Sequence, residues 1–315
     1  MRFFDLHCDT VTECVKQGKS LSENDLHISL NRGKCFDAWA QTFAIWIPDE
    51  LRGQDAWNYF ERNYAFYRDA DVAFCADAQQ LDFALSGERC AAVLAVEGGA
   101  VLMGQMEKLP QIYDRGVRML TLTWNGENEL AFGCQSGKDA PLKPFGKEVV
   151  REMEKLHMAV DVSHLCRKGF YDVLEQTSGS VLASHSTCAD LLQTMREPCG
   201  DREYCVRRAL TDDQIRALSQ HGGIVGLNFC SRFLGGTDMG SMDAALRHAC
   251  RFLELGGEDF LAIGSDFDGC GIHADMDRIE KIPQLYTYFA ENGLGKSLCD
   301  KIFFKNALQF MKSML

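Results

Sequence analysis

The sequence predicts an α/β fold of the (β/α)8 TIM-barrel type, with residues 1–315 forming one barrel. Three observations predict it. Apolar, β-rich segments recur eight times along the chain, with helical patterns between them. The length of 315 residues suits one large α/β barrel. No internal repeat, low-complexity stretch or Pro/Gly-rich linker marks a boundary inside it. A doubly wound sheet would also alternate strand and helix, but no G-x-G-x-x-G follows any predicted strand.

Taken in order, the chain opens on an apolar run that predicts a first strand over Arg2–Asp9. The other seven are expected at Trp39–Trp46, Ala91–Val96, Val117–Thr123, Ala159–His164, Ser180–His185, Gly223–Phe229 and Leu261–Asp266. Between them, Gln54–Ala70, Phe145–Leu156, Arg167–Gln176, Thr211–Gln220 and Met242–Leu255 carry apolar residues at helical spacing. Thr211-Asp212-Asp213-Gln214 reads as a capping box, with Thr at the cap and Gln at the third helical position. A last amphipathic helix, about Lys296–Met314, closes the chain. Four irregular stretches, Gly18–Ala38, Asn125–Pro144, Cys188–Arg208 and Gly269–Ile282, follow the first, fourth, sixth and eighth strands. They belong on the face where barrel enzymes keep their sites.

Composition narrows the partners. A net charge of -12 opposes a nucleic-acid partner, because phosphate binding wants a basic surface. No apolar run is long enough to span a membrane, and neither a leader nor a lipid-anchor signal is read at the ends, so a cytoplasmic protein is expected. The 14 cysteines contain no C-x-x-C pair and read as free thiols in a reducing compartment, not as a metal ribbon.

A barrel makes a specific demand: functional side chains should lie where strands end. Strand one ends in His7 and Asp9, strand three in Glu97, strand five in His164, strand six in His185 and strand eight in Asp266. In a strand, His7 and Asp9 share a face, so an imidazole and a carboxylate converge just past its end. All six suit a borderline or hard metal ion, and none is a thiolate. Each has an ordinary alternative: a turn aspartate, a helix-capping glutamate, a histidine bonded to nearby hydroxyls. Together those alternatives require coincidence at five strand ends. Two His–acid sets with a bridging carboxylate would hold two metals about 3.5 Å apart. His157, His221 and His248 fall in helical contexts and read as surface or structural residues.

With these residues in view, the sequence resembles the membrane (renal) dipeptidase family, peptidase family M19, of the amidohydrolase-type metal barrels. The matching motifs are Asp5-Leu6-His7-Cys8-Asp9, Val96-Glu97-Gly98-Gly99, Leu120-Thr121-Leu122-Thr123, Asp161-Val162-Ser163-His164, Ala183-Ser184-His185-Ser186 and Gly264-Ser265-Asp266-Phe267-Asp268-Gly269. Six motifs in the family's order, from first strand to last, are specific where each alone is weak. The resemblance implies two Zn2+ per chain: one on His7 and Asp9, one on His164 and His185, with Glu97 bridging. A water or hydroxide shared by both ions would be the nucleophile, and Asp266 the general base and then acid. It also implies a small peptide substrate, D-residues at the C-terminal position included, and a homodimer, the common state of family members. A bacterial-type cytoplasmic member is expected.

Substrate recognition departs from the pattern. The family holds the substrate carboxylate with an arginine after the sixth strand, and Arg207-Arg208-Ala209-Leu210-Thr211-Asp212 makes Arg208 the candidate. Arg196 and Arg202, in the long loop before it, compete for the role. Many relatives follow Leu-Thr-Leu-Thr with a histidine that contacts the substrate carbonyl. Here the position is Trp124, whose indole donates one hydrogen bond but carries no charge, so Asn125 or Asn128 would have to supply a further donor. Two alternatives stand beside a dipeptidase: a metal-dependent amidohydrolase of another substrate class, and a metal-binding homologue without turnover. The His-x-Asp opening opposes the first, since barrel deaminases usually begin His-x-His. Intact ligands and Asp266 oppose the second.

Overall fold

Strands buried on both faces have no solvent side to alternate towards, and that explains the unbroken apolar runs. In the computed structural model, which describes residues 1–179, 181–194, 201–235 and 240–315, β1 (Arg2–Cys8) is buried at every residue except Arg2. The others are β2 (Ala38–Trp46), β3 (Ala73–Phe74), β4 (Ala91–Glu97), β5 (Val117–Thr121), β6 (Ala159–Asp161), β7 (Val181–Ser186), β8 (Ile224–Leu227) and β9 (Leu261–Ile263). All pairings among them are parallel, in the order β2-β1-β9-β8-β7-β6-β5-β4-β3. The additional β2–β4 pairing closes eight strands into a ring, so the chain is a (β/α)8 barrel. Two-residue β3 lies outside the ring. It pairs with Ala91 and Ala92, on the part of β4 that precedes its pairing with β5 at Leu94.

Two cores follow from strand alternation. Phe4, Leu6, Ala44, Val93, Ala95 and Met119 fill the barrel interior, together with Phe310 and Met311 of the helix Asn306–Met314. Phe3, Phe43, Ile45 and Val96 face the surrounding helices. The expected helices form within a residue or two of their expected bounds, for example Arg167–Gln176, and Asp212–Gln220 with the Thr211–Gln214 capping box in place. The last expected helix is interrupted by a wide π-helical turn at Lys301–Lys305. Expected strand residue Ser180 lies outside the described residues. Among the described residues, no helix is long and apolar enough to cross a membrane.

His248, in the helix Met242–Gly256, is fully buried and paired at both nitrogens. Nδ1 accepts the Cys188 N–H at 3.0 Å, and Nε2 donates to the Leu234 carbonyl at 3.0 Å. A proton on Nδ1 would break the first bond, and burial lowers the pKa to about 4. The unfolded chain takes up that proton near pH 6.5. The contribution to stability is therefore complete above pH 6.5 and is lost as pH falls from there towards 4, by about 3 kcal/mol. His248→Gln offers an acceptor and a donor without titrating. Urea midpoints across that range should fall less steeply for the variant than for the wild type.

Candidate metal centre

Six side chains predicted at strand ends meet at the C-terminal mouth of the barrel, but not all by simple alternation. The β1–β2 register slips between Asp5 and Cys8, and the β7–β8 register slips between Ala183 and Ser186. Such bulges re-aim the residues they contain, here His7 and His185. Glu97 is the last residue of β4, and Asp9 sits at the N-cap of the helix Thr10–Gln17. His164 and Asp266 differ from expectation. Their strands end three residues earlier, at Asp161 and Ile263, and both residues adopt left-handed backbone, with φ of 66° and 62°. A non-glycine residue in that region costs on the order of 1 kcal/mol, so the turns must be held from outside.

Glu97 lies at the middle. Its Oε1 is 3.0 Å from His164 Nε2 and 3.5 Å from His185 Nε2, and its Oε2 is 3.7 Å from His7 Nε2. His7 Nε2 is in turn 3.4 Å from Asp9 Oδ2. Ligand atoms of Glu97, His164 and His185 fall within 4.8 Å of one another, and so do those of His7, Asp9 and Glu97. A third such group, His7, His185 and Asp266, adjoins them.

The donor set calls for cations. His164 Nδ1 is 2.9 Å from Asn125 Oδ1, an acceptor, so Nδ1 carries the ring proton and Nε2 presents a lone pair. His185 Nδ1 is 2.8 Å from Ser184 Oγ, whose own hydrogen goes to Asp161 Oδ2 at 2.6 Å, so its Nε2 also presents a lone pair. These two nitrogens lie 3.0 Å apart and face Glu97 Oε1, which has no hydrogen-bond partner among the described residues. No single proton can satisfy three acceptors; a metal ion can. Asp9 Oδ1 and His7 Nδ1 are likewise buried without partners among the described residues.

Electrostatics follow the same crowding. Burial holds Glu97 well above the usual carboxylate range and raises Asp266 to about 6. Burial also acts to lower His7, but Glu97, Asp9 and Asp266 together raise it to about 10. His164 and His185 are held well below the ordinary imidazole value by burial, then by Arg208 and His7. Carboxylates crowded round His7 favour positive charge at this point, which a divalent ion would supply.

The site opens into a cleft of about 840 Å³ whose lining includes the aromatic pairs Trp46–Trp124 and Tyr204–Phe233. Trp124 packs edge-on against Trp46, with ring centroids 5.0 Å apart. Asn125 lines the cleft too, yet its Oδ1 is engaged by His164, Cys134 and Tyr204. Asn128 instead caps its own loop, through Leu122, Leu130 and Ala131. Arg208 is buried against Phe233, which lines the cleft, and donates from Nη2 to the His185 carbonyl at 2.9 Å; its Nε has no hydrogen-bond partner among the described residues. Arg202 begins the helix that carries Arg208 at its end, and does not line the cleft. Arg196 lies outside the described residues. Arg232, which sequence reasoning missed, lines the cleft with its guanidinium 4.8 Å from the Tyr204 ring centroid. No motif marks it, since its place depends on a loop after β8.

Gly269 shows how tightly the acids are packed. A Cβ built there would fall 2.2 Å from Asp9 Oδ2 and 2.3 Å from Asp266 Oδ1. Gly269→Ala should therefore push two site carboxylates apart. Since displacements of about 1 Å can cost 10²-fold in rate, we expect kcat to fall at least tenfold on peptide substrates, with circular dichroism unchanged.

An eight-stranded parallel barrel with three histidines and three carboxylates at its mouth has the build of an amidohydrolase-type metal-dependent hydrolase. The family model described as membrane dipeptidase (peptidase family M19) matches residues 1–314. The chain belongs to that family and is a metallo-dipeptidase. It is similar, at 28% identity over 77% of this chain and 89% of the relative, to an uncharacterised Klebsiella pneumoniae protein encoded in the pqqA 5′ region. An uncharacterised dipeptidase of Schizosaccharomyces pombe is 31% identical over 65% of this chain and 47% of its own length. Among solved structures, a metallopeptidase from Rhodobacter sphaeroides, liganded with a phosphinate mimic of the dipeptide L-Ala-D-Ala, superposes with a TM-score of 0.87. It is 22% identical, over 100% of this chain and 99% of that one. A probable dipeptidase from Pseudomonas aeruginosa gives 0.85 at 17% identity, over 100% and 95%.

Proposed function

We propose that this protein is a zinc-dependent dipeptidase holding two metal ions, with His7 and Asp9 on one, His164 and His185 on the other, and Glu97 between them. The observation that carries this reading is the placement of Glu97, whose two oxygens turn to two different groups of ligand atoms. Nitrogen and oxygen donors with no thiolate suit zinc. When bound, the metals supply Lewis acidity for the scissile carbonyl and lower the pKa of a water towards neutrality.

The chain's own residues do the rest. Asp266 Oδ2 accepts from Asn228 Nδ2 at 3.0 Å, which fixes the carboxylate and turns Oδ1 towards Asp9 and the cleft. Oδ1 accepts the proton of the attacking water and returns it to the departing amide nitrogen. Asn125 and Ser184 hold His164 and His185 in the orientation ligation requires. The Trp46–Trp124 wall excludes water from one flank of the substrate. The Rhodobacter sphaeroides protein binds a dipeptide mimic ending in D-Ala, and this supports substrates with C-terminal D-residues.

A release assay with the zinc-loaded protein over L-L and L-D dipeptides tests the reading, and failure to cleave any of them would overturn it. We assign the substrate carboxylate to Arg208, whose buried Nε has no partner among the described residues. Charge-assisted hydrogen bonds are worth about 1.5–3 kcal/mol, so Arg208→Ala should raise KM about 10- to 100-fold for free dipeptides and little for C-terminally amidated ones. Equal effects on both would move the role to Arg232.

A further inference from the structure

Two buried carboxylates lie next to the site without belonging to it. Asp161, at the end of β6, accepts four hydrogen bonds: from the Ser163 and Ser184 backbone N–H groups on Oδ1, and from the Thr121 and Ser184 hydroxyls on Oδ2. Asp5, in β1, does the same: from the His7 and Ser265 N–H groups on Oδ1, and from Gln41 Nε2 and the Ser265 hydroxyl on Oδ2. Both are 0% exposed. Each ties its own strand to both neighbours, β5–β6–β7 in one case and β2–β1–β9 in the other, taking Ser265 as the continuation of β9. In each case the serine that gives two of the four bonds immediately precedes a functional residue: Ser184 before His185, Ser265 before Asp266.

We propose that Asp161 and Asp5 are positioning residues, one for each half of the site: Asp161 fixes the tautomer of His185, and Asp5 fixes the turn that carries Asp266. This deepens the two-metal dipeptidase reading and rests on it.

The Asp161 half works through the direction of a relay. Four donor groups converge on the two oxygens of Asp161, so the carboxylate serves as acceptor and the Ser184 hydroxyl donates to it, at 2.6 Å. With its hydrogen spent, Ser184 Oγ can only accept from His185 Nδ1–H, at 2.8 Å. The proton is then confined to Nδ1, and Nε2 is left as a metal ligand. An asparagine at 161 offers two acceptor lone pairs to four donors. If its amide nitrogen faces Ser184, the hydroxyl is free to turn and donate to Nδ1, which moves the ring proton to Nε2 and blocks ligation. If it faces the other way, two backbone N–H groups lose their acceptor. Gly226 and Gly264 keep this serine seated, since a Cβ on either would fall within 1.9 Å of the Ser184 carbonyl oxygen.

The Asp5 half works through the backbone. The Ser265 hydroxyl, held by Asp5 at 2.6 Å, accepts the Phe267 N–H at 3.1 Å. That pins residues on both sides of Asp266, whose φ of 62° needs outside support.

Zinc titration of the metal-free protein, with steady-state kinetics on the reloaded protein, tests both halves. Wild type should bind two equivalents. Asp161→Asn and Ser184→Ala should weaken one equivalent about 10- to 100-fold and leave the other unchanged. Asp5→Asn and Ser265→Ala should keep both equivalents and KM within twofold, while kcat falls at least tenfold. The serine variants leave the carboxylates in place and decide the matter where an aspartate variant does not fold. Wild-type affinity for both equivalents in the first pair, or wild-type kcat in the second, would overturn the proposal with the dipeptidase reading intact. Fewer than two equivalents in the wild type would overturn the two-metal reading and this proposal with it.

Discussion

Asp266→Asn is expected to bind as much zinc as the wild type and to lose about 10³-fold in kcat for dipeptide hydrolysis, the middle of the range for a general acid–base group. The substitution preserves shape. Asn228 Nδ2 can still donate to the side-chain oxygen, as it does now to Oδ2 at 3.0 Å. The new amide nitrogen then faces Asp9, a carboxylate that welcomes a donor. What disappears is a group that can take a proton and give it back, and burial has raised this one to about 6, near where proton transfer in both directions is easiest. Metal analysis and single-turnover rates check the result together. A variant with full zinc and more than a tenth of the wild-type rate would remove Asp266 from the chemistry.

Glu97→Ala is expected to abolish both activity and metal binding, the larger effect of the two. Glu97 is the residue common to the group with His164 and His185 and the group with His7 and Asp9. Without it, each of these two groups drops to two protein donors, too few for a structural or catalytic zinc site. The distinguishing measurement is thermal. A metal present at about 1,000 times its Kd stabilises the protein by about 4 kcal/mol, so zinc should raise the wild-type Tm and leave the variant's unmoved. Metal-free variant and metal-free wild type should unfold at similar temperatures, because the buried Glu97 carboxylate pays its own desolvation cost. A zinc-dependent rise in the variant's Tm equal to that of the wild type would remove Glu97 from the bridging position.

The barrel and the residues around its mouth were legible because both obey a period. Continuous apolar runs mark strands covered on both faces, and ligand types at five strand ends mark one rim. The failures have local causes. Strand β3, two residues long, is too short to carry a pattern. The sequence does not show that β6 and β9 stop three residues short of His164 and Asp266, because left-handed backbone at a histidine or an aspartate has no spelling as clear as a glycine. Asn125 lines the cleft, as the sequence leads one to expect beside Trp124, but nothing in the sequence shows that its carbonyl oxygen serves His164, 39 residues further on. The Asp161–Ser184–His185 relay was printed in two of the matched motifs, but nothing in linear spacing says that one carboxylate governs the next strand's imidazole.

The pairing of β1 with β9 also bears on how the molecule is made. Asp5 and Ser265 are 260 residues apart, and β1 stays without its second neighbour until β9 has been synthesised. Contacts so distant in sequence carry a large loop-closure cost and are formed slowly. During synthesis the chain therefore exposes open strand edges for most of its length, a state prone to wrong pairing. The Ser265 hydroxyl cannot reach Asp5 before that closure, so the turn that carries Asp266 is completed only with the last strand.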